Sequence, residues 1–321
     1  MHRSLNLLMA IAVVMLGAVL SLASGRAVAN DTGGRALVLG GGGPVGVGWE
    51  TGLVAGLADK GVDLSRADYI IGTSAGSVVG ANLALGRKPS DMYQRELHPQ
   101  RPAAQSSAAA PPDIAPLVAH MRELASENKP AQEVRAEMGA WALSAKPMMP
   151  EAQWEGYFKR LFPEPWASGA FHCVTVDTSD GSYKVWSKDS DVPLALAVAS
   201  SCAVPGIFAP IAINGQRYMD GGMRSATNAD LAKGYSEVVV VSVTARPRTT
   251  EFGKRLGAVL DNEVKALKEG GAHVDLIVPD AASLAAFGPN LMDPSHQIEA
   301  AKAGMAQGQA EAVTLQQSWN R

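Results

Sequence analysis

The stretch IIGTSAGSVVG, residues 70–80, contains the transition that decides the fold. Two isoleucines end an apolar run typical of a buried strand, and small residues continue as a predicted helix over 77–85. Between them, Ser74 stands in a Gly-x-Ser-x-Gly pattern with Gly72 and Gly76. A serine on a sharp strand-to-helix turn exposes its hydroxyl, and the N-terminal amides of the following helix favour negative charge there. The pattern predicts a nucleophile, but a chain with 33 glycines also produces it by chance, so the prediction needs partner residues.

A similar unit precedes this one in the chain. Residues 36–39 predict a short buried strand, residues 40–46 form a glycine-rich loop, and apolar residues from Trp49 onwards recur at helical spacing with Glu50 in the first turn. Two strand-loop-helix units in tandem predict a parallel sheet with helices on its faces. The expected fold class is therefore α/β, with three layers (α/β/α) around a mainly parallel central sheet and Ser74 on a strand-to-helix nucleophile elbow.

The rest of the chain divides into a helical segment and further strands. Residues 87–166 are interpreted as a helical insertion that contains a flexible loop rich in Pro, Ala and Ser at 99–116. Helices are predicted within the insertion over 117–141 and 151–161, and beyond it over 262–270 and 297–317. Strands are predicted at 171–176, 182–186, 211–213, 217–219, 237–243 and 274–278, with hairpin turns at Ser179-Asp180-Gly181 and Asn214-Gly215.

The glycine loop allows two interpretations. In a parallel sheet it opens at the same edge as the serine, where its amides could hold the oxyanion of an acyl transfer. The spacing of Gly41, Gly43 and Gly46 also satisfies the dinucleotide-binding fingerprint. That fingerprint requires an acidic residue at the end of the second strand, whereas Asp68 precedes this strand. The oxyanion interpretation is therefore favoured.

A carboxylate is the best candidate for the base. Asp220 ends a predicted hairpin strand and is followed by Gly221 and Gly222, a sequence that also occurs in ordinary tight turns. No histidine closes a predicted strand at the loop edge of the sheet, where a Ser-His-Asp triad needs one. The histidines beyond the N-terminal segment are His98, His120, His172, His273 and His296.

Together these motifs resemble the patatin-like phospholipases. That family has a Gly-Gly-Gly-x-x-Gly loop, a Gly-x-Ser-x-Gly elbow and a later Asp-Gly-Gly or Asp-Gly-Ala, in this order. Here they are Gly41 to Gly46, Gly72 to Gly76 and Asp220 to Gly222. The Ala-Ser-x-x-x-x-Pro-Gly-x-Phe-x-Pro run that includes Ser200 to Pro210 is also similar to the family. The resemblance covers roughly residues 35–245.

The resemblance implies a role for each matched residue. Ser74 would be the nucleophile and Asp220 its base. The oxyanion hole would be formed by amides of the glycine loop at Gly41, Gly42 and Gly43, and the motif is supported by Gly46, Gly72, Gly76, Gly221 and Gly222. The family often has Lys or Arg before the last glycine of the loop, whereas this chain has Val45.

The function expected from this resemblance is hydrolysis of lipid carboxylic esters, as by a phospholipase A, lysophospholipase or esterase. A Met-rich and aromatic segment at 145–166 could form an apolar trough or a membrane-facing lid, or plain core. The expected partner is a lipid or ester substrate, with peripheral contact to a membrane. Two alternatives stay open: a Ser-His-Asp α/β-hydrolase with His273 or His296 as base, and a non-catalytic lipid-binding protein on the same fold.

Composition excludes several other classes. The formal net charge is −3, without a long run of either sign, which excludes a phosphate-tracking nucleic-acid binder. Cys173 and Cys202 are the only cysteines, which excludes a disulfide-stapled scaffold and leaves their redox state open. No cofactor is expected, and no group of residues has metal-ligand spacing, so the predicted hydrolysis is independent of metal.

The first 29 residues have the features of an export signal. A basic start is followed by the apolar run from Leu7 to Leu20 and by Ala27-Val28-Ala29, a typical cleavage site. The apolar run is shorter than the roughly 18 to 20 residues of a membrane-spanning helix, although an uncleaved N-terminal anchor is the alternative. Residues 30–321 are then expected to form one hydrolase domain that is exported, either periplasmic or secreted.

Overall fold

An eight-stranded sheet lies at the centre of the computed structural model, which describes residues 33–98, 111–127, 129–245 and 251–319. The strands are β1 (Arg35–Leu39), β2 (Tyr69–Gly72), β3 (Phe171–Asp177), β4 (Tyr183–Trp186), β5 (Ile211–Ile213), β6 (Gln216–Asp220), β7 (Glu237–Val241) and β8 (His273–Ile277). Their order is β5-β6-β3-β2-β1-β7-β8, and β4 pairs with β3. Neighbouring strands from β3 through β8 in this order are parallel, whereas β4, β5 and β6 pair antiparallel.

Helices cover both faces of this sheet. They are α1 (Gly43–Asp59), α2 (Ala75–Ala84), α3 (Pro89–Leu97), α4 (Ala115–Ser126), α5 (Ala131–Ser144), α6 (Glu151–Leu161), α7 (Leu194–Ser201), α8 (Glu251–Glu269), α9 (Ala281–Phe287) and α10 (Gln297–Trp319). Side chains of α1, α2, α6, α7 and α10 share one apolar core with alternate residues of the strands, and α8 packs on the other face. A smaller core joins α4 and α5 to β3 and β6. This arrangement confirms the three-layer α/β/α class.

The central strand shows why the sequence gives this architecture. Leu37 and Leu39 of β1 face one apolar core while Ala36 and Val38 face the other, and all four are 0% exposed. A strand buried on both faces requires an unbroken apolar run, as the sequence has at this point. Strands β1 and β2 end at the same edge of the sheet, where the glycine loop and Ser74 follow them.

Glycines allow α1 and α10 to pack closely. Gly48, Gly52 and Gly56 recur at every fourth position of α1 and therefore lie on one side of the helix. A Cβ at residue 52 would overlap the Ala301 carbonyl oxygen of α10. Likewise, a Cβ at Gly304 of α10 would overlap the carbonyl oxygen of Trp49 of α1. The close contact fixes α1, whose first turn contains the end of the glycine loop.

Most predicted elements match the structure within two residues, but several differ. The helices α3, α7 and α9 were not predicted, α8 begins eleven residues before the predicted start at 262, and the segment predicted as helix over 117–141 contains two helices, α4 and α5. Glu50, expected in the first turn of its helix, lies in the second turn of α1 and is 0% exposed. Burial raises the pKa of this carboxyl well above its usual value, against a smaller opposing effect of the Gly40 amide.

Two sequence predictions concern segments that lie wholly or mostly outside the residues that the structure describes. The signal segment at 1–29 lies outside the described residues, as does most of the loop at 99–116. Within the described ranges, none of the helices combines the length and apolarity needed to cross a membrane. Cys173 and Cys202 are both buried and carry free thiols.

Candidate active site

Ser74 has a strained backbone at the turn between β2 and α2. Its dihedrals are φ 52° and ψ −115°, in a region that residues with a side chain rarely adopt. Such strain typically costs about 1–3 kcal/mol and persists only where the surrounding structure holds it. The Ser74 amide donates to Ser201 Oγ at 3.0 Å, while its carbonyl accepts from Ser77 Oγ at 2.6 Å. The turn is therefore held from α7 and from its own helix.

The two glycines of the elbow lie so close to neighbouring backbone atoms that a side chain would not fit at either position. A Cβ at Gly76 would overlap the Leu39 carbonyl oxygen at the end of β1. A Cβ at Gly72 would lie 2.5 Å from the Ser77 Cα, across the turn. Any side chain at these positions would push α2 away from the sheet, so the Gly-x-Ser-x-Gly pattern has a packing reason in this fold.

Asp220 is the buried acid beside this turn. It is 3% exposed, and its Oδ1 accepts from the Gly222 amide at 2.7 Å. Its Oδ2 is buried and makes no hydrogen bond of standard geometry with any described residue. Burial raises the pKa of Asp220 to about 7, outweighing the opposing effects of the Ser74 hydroxyl and of the Gly222 amide.

The register of the sheet explains why Ser74 and Asp220 meet. Gly72 pairs with Cys173 on β3, and Asp220 pairs with Thr175 on the same side of that strand, because β4 pairs with both Cys173 and Thr175 from the other side. Continuing the β2 register by two residues puts Ser74 at the level of Thr175. The ends of β2 and β6 therefore meet on one side of β3 and bring Ser74 next to Asp220, so close that the Ser74 hydroxyl lowers the pKa of the Asp220 carboxyl against the larger effect of burial. Because β6 runs antiparallel, Asp220 reaches this level from the opposite direction.

The glycine loop borders the serine, but its amides are not equivalent. The Gly40 and Gly41 amides donate to the carbonyls of Val241 and Ala226 at 3.0 and 2.7 Å. The amides of Gly42 and Gly43 donate to no acceptor among the described residues. A Cβ at Gly41 would lie 3.4 Å from the Ser74 Cβ, so the loop passes directly beside the serine. The free donors are therefore at Gly42 and Gly43, and the Gly41 amide is already used.

A cavity of about 410 Å³ extends from Ser74 between the helices. Ala75, Val78 and Asn82 line it from α2, at intervals that follow one side of the helix. The segment at 145–166, for which the sequence left a trough, a lid or core open, supplies an apolar wall. Its lining residues on α6 are Trp154, Tyr157, Phe158 and Leu161.

Charged and polar side chains also line this cavity. Its lining includes Arg87, Arg95, Glu96 and His98. Arg87 forms an ion pair with the exposed Glu164 at 3.0 Å. The lining therefore combines apolar surface on α2 and α6 with charged side chains, of which Arg87 donates to Asn82 Oδ1 on α2, two turns after Ser74.

The histidines of the alternative triad lie elsewhere. His273 begins β8 at the opposite edge of the sheet from Ser74, and its Nδ1 lies 3.1 Å from a Glu237 carboxylate oxygen. The His296 ring packs against Gly288. Neither lines the cavity that contains Ser74, whereas His98 is among its lining residues.

Sequence reasoning missed the residues that hold the site together. Ser201 accepts the Ser74 amide, and Asn228 donates to the hydroxyl of Thr73 at 3.0 Å. Both are fully buried polar residues, which require hydrogen-bond partners. The available signal was the run of small polar residues at 225–228 after the Asp-Gly-Gly motif, although such a run is equally typical of an exposed loop.

Comparisons with known proteins agree with the motifs. The family model described as patatin-like phospholipase matches residues 37–233, whereas comparison with curated proteins gives no match. Among solved structures, VipD from Legionella pneumophila is similar, with 14% identity, a TM-score of 0.40 and coverage of 88% of this chain and 67% of that chain. The type III effector protein ExoU has 16% identity and a TM-score of 0.36, and this chain, with 88% covered, spans 53% of its length. Because the family model matches more than half of the sequence, the chain belongs to the patatin-like phospholipase family.

Proposed function

We propose that this chain is a serine hydrolase that cleaves carboxylic esters of lipids through a Ser74–Asp220 dyad. The observation that carries the proposal is the strained Ser74 directly beside the buried Asp220 carboxyl, at a cavity with an apolar wall on α6. Family membership supports lipid hydrolysis in general terms. The roles of the individual residues come from their geometry and chemistry.

The proposed reaction has two stages. Ionised Asp220 accepts the Ser74 proton as Oγ attacks the ester carbonyl, and the proton then passes to the departing alcohol. In the second stage Asp220 removes a proton from water, which attacks the acyl-serine, and the proton then passes to Ser74 Oγ as the acyl–oxygen bond breaks and the free acid leaves. The oxyanion of each tetrahedral intermediate is held by the amides of Gly42 and Gly43, which have no acceptor among the described residues.

The chemistry of the dyad favours esters over amides. An alkoxide is a much better leaving group than an amide anion, so an ester needs little proton donation as its C–O bond breaks, whereas an amide needs its nitrogen protonated first by the single carboxyl of Asp220. The cavity wall at Val78, Trp154, Phe158 and Leu161 supplies apolar surface for an acyl chain. These features support lipid esters as the substrate class.

The test of this proposal is Ser74-dependent turnover and labelling. Wild type is expected to hydrolyse nitrophenyl esters or phospholipid vesicles and to bind a fluorophosphonate covalently, and Ser74→Ala is expected to lose both. Asp220→Asn is expected to lower kcat by at least roughly 10³-fold while the fold is retained. Ser90→Ala and Asp177→Asn change an exposed serine and an acid at the end of β3, and serve as matched controls.

Two other outcomes would redirect the proposal. Loss of activity in His98→Ala, His273→Ala or His296→Ala would support a histidine base. Folded wild-type protein that neither hydrolyses the ester panel nor takes up the fluorophosphonate, but binds lipid, would support a non-catalytic lipid-binding protein.

We further propose that residues 1–29 direct export and are removed, which would leave the hydrolase periplasmic or secreted. The apolar run and the Ala27-Val28-Ala29 sequence support this proposal. N-terminal sequencing of the exported protein should begin at Asn30. A membrane-bound product that starts at Met1 would instead indicate an N-terminal anchor.

A further inference from the structure

One buried loop contacts all three parts of the proposed site. We call residues 225–229 the linking loop. It follows the Asp-Gly-Gly turn, and its last residue is the first of a short 3-10 turn at 229–232. Its Ala226 carbonyl accepts the Gly41 amide at 2.7 Å, which holds the glycine loop. The Thr227 carbonyl accepts from Thr73 Oγ1 at 3.4 Å, next to the nucleophile.

Asn228 makes the central contacts of the linking loop. It is 0% exposed, and its side-chain amide donates to Thr73 Oγ1 at 3.0 Å, to the Gly221 carbonyl at 3.3 Å and to the Ser225 carbonyl at 2.8 Å. Thr73 immediately precedes Ser74, and Gly221 immediately follows Asp220. One amide group therefore bridges the backbone segments that carry the nucleophile and the acid.

The backbone of Asn228 is specialised for this contact. Its dihedrals are φ 52° and ψ 36°, the left-handed region, which asparagine tolerates better than most residues with a side chain. The Asn228 Oδ1 accepts from Arg224 Nη1 at 2.7 Å, and Arg224 also pairs with Asp230. These contacts fix the orientation of the amide, so that its N–H groups face Thr73 and Gly221.

The linking loop is itself held from α8. The Glu263 Oε2 accepts from Thr227 Oγ1 at 2.6 Å and from the Ala229 amide at 3.2 Å. Glu263 is buried, and burial raises its pKa against the opposing effects of these hydrogen bonds. Because Glu263 of α8 holds the residues on both sides of Asn228, Asn228 keeps a fixed position relative to the two chain segments that it bridges.

We propose that Asn228 is a positioning residue that sets the spacing between the Ser74 elbow and the Asp220 turn. The inference rests on the proposed dyad and extends it to a residue that contacts neither substrate nor reacting atoms. A dyad without a histidine depends on direct approach of the serine oxygen to the carboxylate. A displacement of about 1 Å in such an arrangement lowers the rate by roughly 10²-fold.

The test compares two Asn228 variants with a matched control. Asn228→Gly keeps the left-handed backbone and removes the amide, whereas Asn228→Asp keeps the shape and removes its N–H donors. Asn214→Gly is the control, because Asn214 has φ 51° in the exposed hairpin between β5 and β6. Both Asn228 variants should lower kcat by roughly tenfold or more with KM within about threefold, and Asn214→Gly should leave both parameters unchanged.

Two further readouts separate positioning from a loss of folded protein. In Asn228→Gly, a loosened turn admits water to Asp220, so the midpoint of the pH–kcat profile should fall below that of wild type. A double-mutant cycle with Thr73→Val gives the second readout. The fold decrease of kcat in the double variant should be smaller than the product of the two single decreases, because both substitutions remove the same Asn228–Thr73 contact. A smaller population of folded protein would produce neither effect.

The outcomes decide between the inference and the function on which it rests. Wild-type kcat and pH midpoint in Asn228→Gly would overturn the inference while Ser74-dependent activity preserved the proposed function. Activity that survives Ser74→Ala would reject the dyad itself. If neither Asn228 variant folds, Thr73→Val decides alone: a several-fold lower kcat at constant KM supports positioning, and wild-type kcat overturns it.

Discussion

At the scale of single residues, the site combines a strained serine with an acid kept in an unfavourable environment. The Asp220 pKa of about 7 makes this carboxylate a stronger base than an exposed aspartate, and it stays ionised in part at neutral pH. The same burial that strengthens the base therefore also destabilises its ionised form. Both consequences can be measured separately.

The activity should depend on pH through Asp220. Because the dyad requires the ionised carboxylate, kcat/KM for a neutral ester should rise with pH, with a midpoint near pH 7, and reach a plateau above it. Steady-state rates between pH 5 and pH 9, at constant ionic strength, measure this profile. A profile that is flat over this range, or that falls between pH 6 and pH 8, would contradict Asp220 as the base.

Stability should depend on pH in the opposite direction. The folded-state pKa of Asp220 is raised from 3.8 to about 7, so the folded protein holds a proton that the unfolded chain releases. The free energy of unfolding should therefore fall as pH rises from about 4 to 7, and stay low above it. Asp220→Asn removes this penalty and should be more stable than wild type by about 2–4 kcal/mol at pH 8, but by much less at pH 4.

Urea unfolding at the two pH values provides the measurement. Some dependence on pH should remain in Asp220→Asn, because burial also raises the pKa of Glu50. Asp177→Asn, at the end of the neighbouring strand, should unfold like wild type at both pH values. A lower stability of Asp220→Asn at pH 8 would show that the ionised carboxylate is stabilised by contacts that outweigh its burial.

At the scale of elements, the cavity is lined by α2, which leads away from Ser74, and by α6. From Ser74 to Asn82, eight residues at about 1.5 Å each give a length of about 12 Å along α2 before Arg87, which donates to Asn82 Oδ1. Val78 lies halfway along this path and lines the cavity. An acyl chain of medium length would therefore occupy the apolar section fully.

Val78→Phe should shorten the groove and change chain-length preference. The kcat/KM for a decanoyl nitrophenyl ester should fall by roughly tenfold or more, whereas that for the acetyl ester should change less than about threefold. The expected reason is that the phenyl ring fills the space beyond the first few methylene groups. Val313→Phe, on the exposed side of α10, is the control at a valine 70% exposed. Equal losses for both esters would contradict this path for the acyl chain.

The sequence predicts elements well where one physical signal dominates. The apolar runs of β1 and β7 are buried on both faces, so their position follows from hydrophobicity alone. Helix α7 was missed because its run of Ala, Leu, Val and Ser is apolar on all sides and has no helical periodicity. The same holds for the site. Ser74 and Asp220 lie in recognisable motifs and could be predicted, whereas the role of Asn228 depends on contacts between segments that are distant in sequence.

At the scale of the whole molecule, the fold extends beyond the part that matches the family. The match ends at residue 233, but β7 pairs along the full length of β1 in the centre of the sheet. Helix α10, the last described element, packs along α1. Since α1 begins at Gly43, the C-terminal helix supports the loop that supplies the proposed oxyanion donors. Stability and activity should therefore be linked through the contact between α1 and α10.

Two glycine substitutions within helices test this link. At Gly52 of α1 a Cβ would overlap the Ala301 carbonyl oxygen, whereas at Gly156 of α6 the nearest atom would be Arg160 Nη1 at 3.6 Å. Gly52→Ala should lower the free energy of unfolding by about 1–3 kcal/mol, because a backbone atom of α10 must move. Gly156→Ala should raise it by about 0.5–1 kcal/mol through helix propensity.

Urea unfolding and ester hydrolysis on the same preparations separate the two helices. In Gly52→Ala, kcat should fall as well, because a shifted α1 moves Gly43 and its amide relative to Ser74. Gly156→Ala should keep wild-type kcat, since its Cβ meets no backbone atom. If Gly52→Ala were as stable and as active as wild type, α10 would have room to move away without disturbing α1, and the C-terminal helix would not support the site.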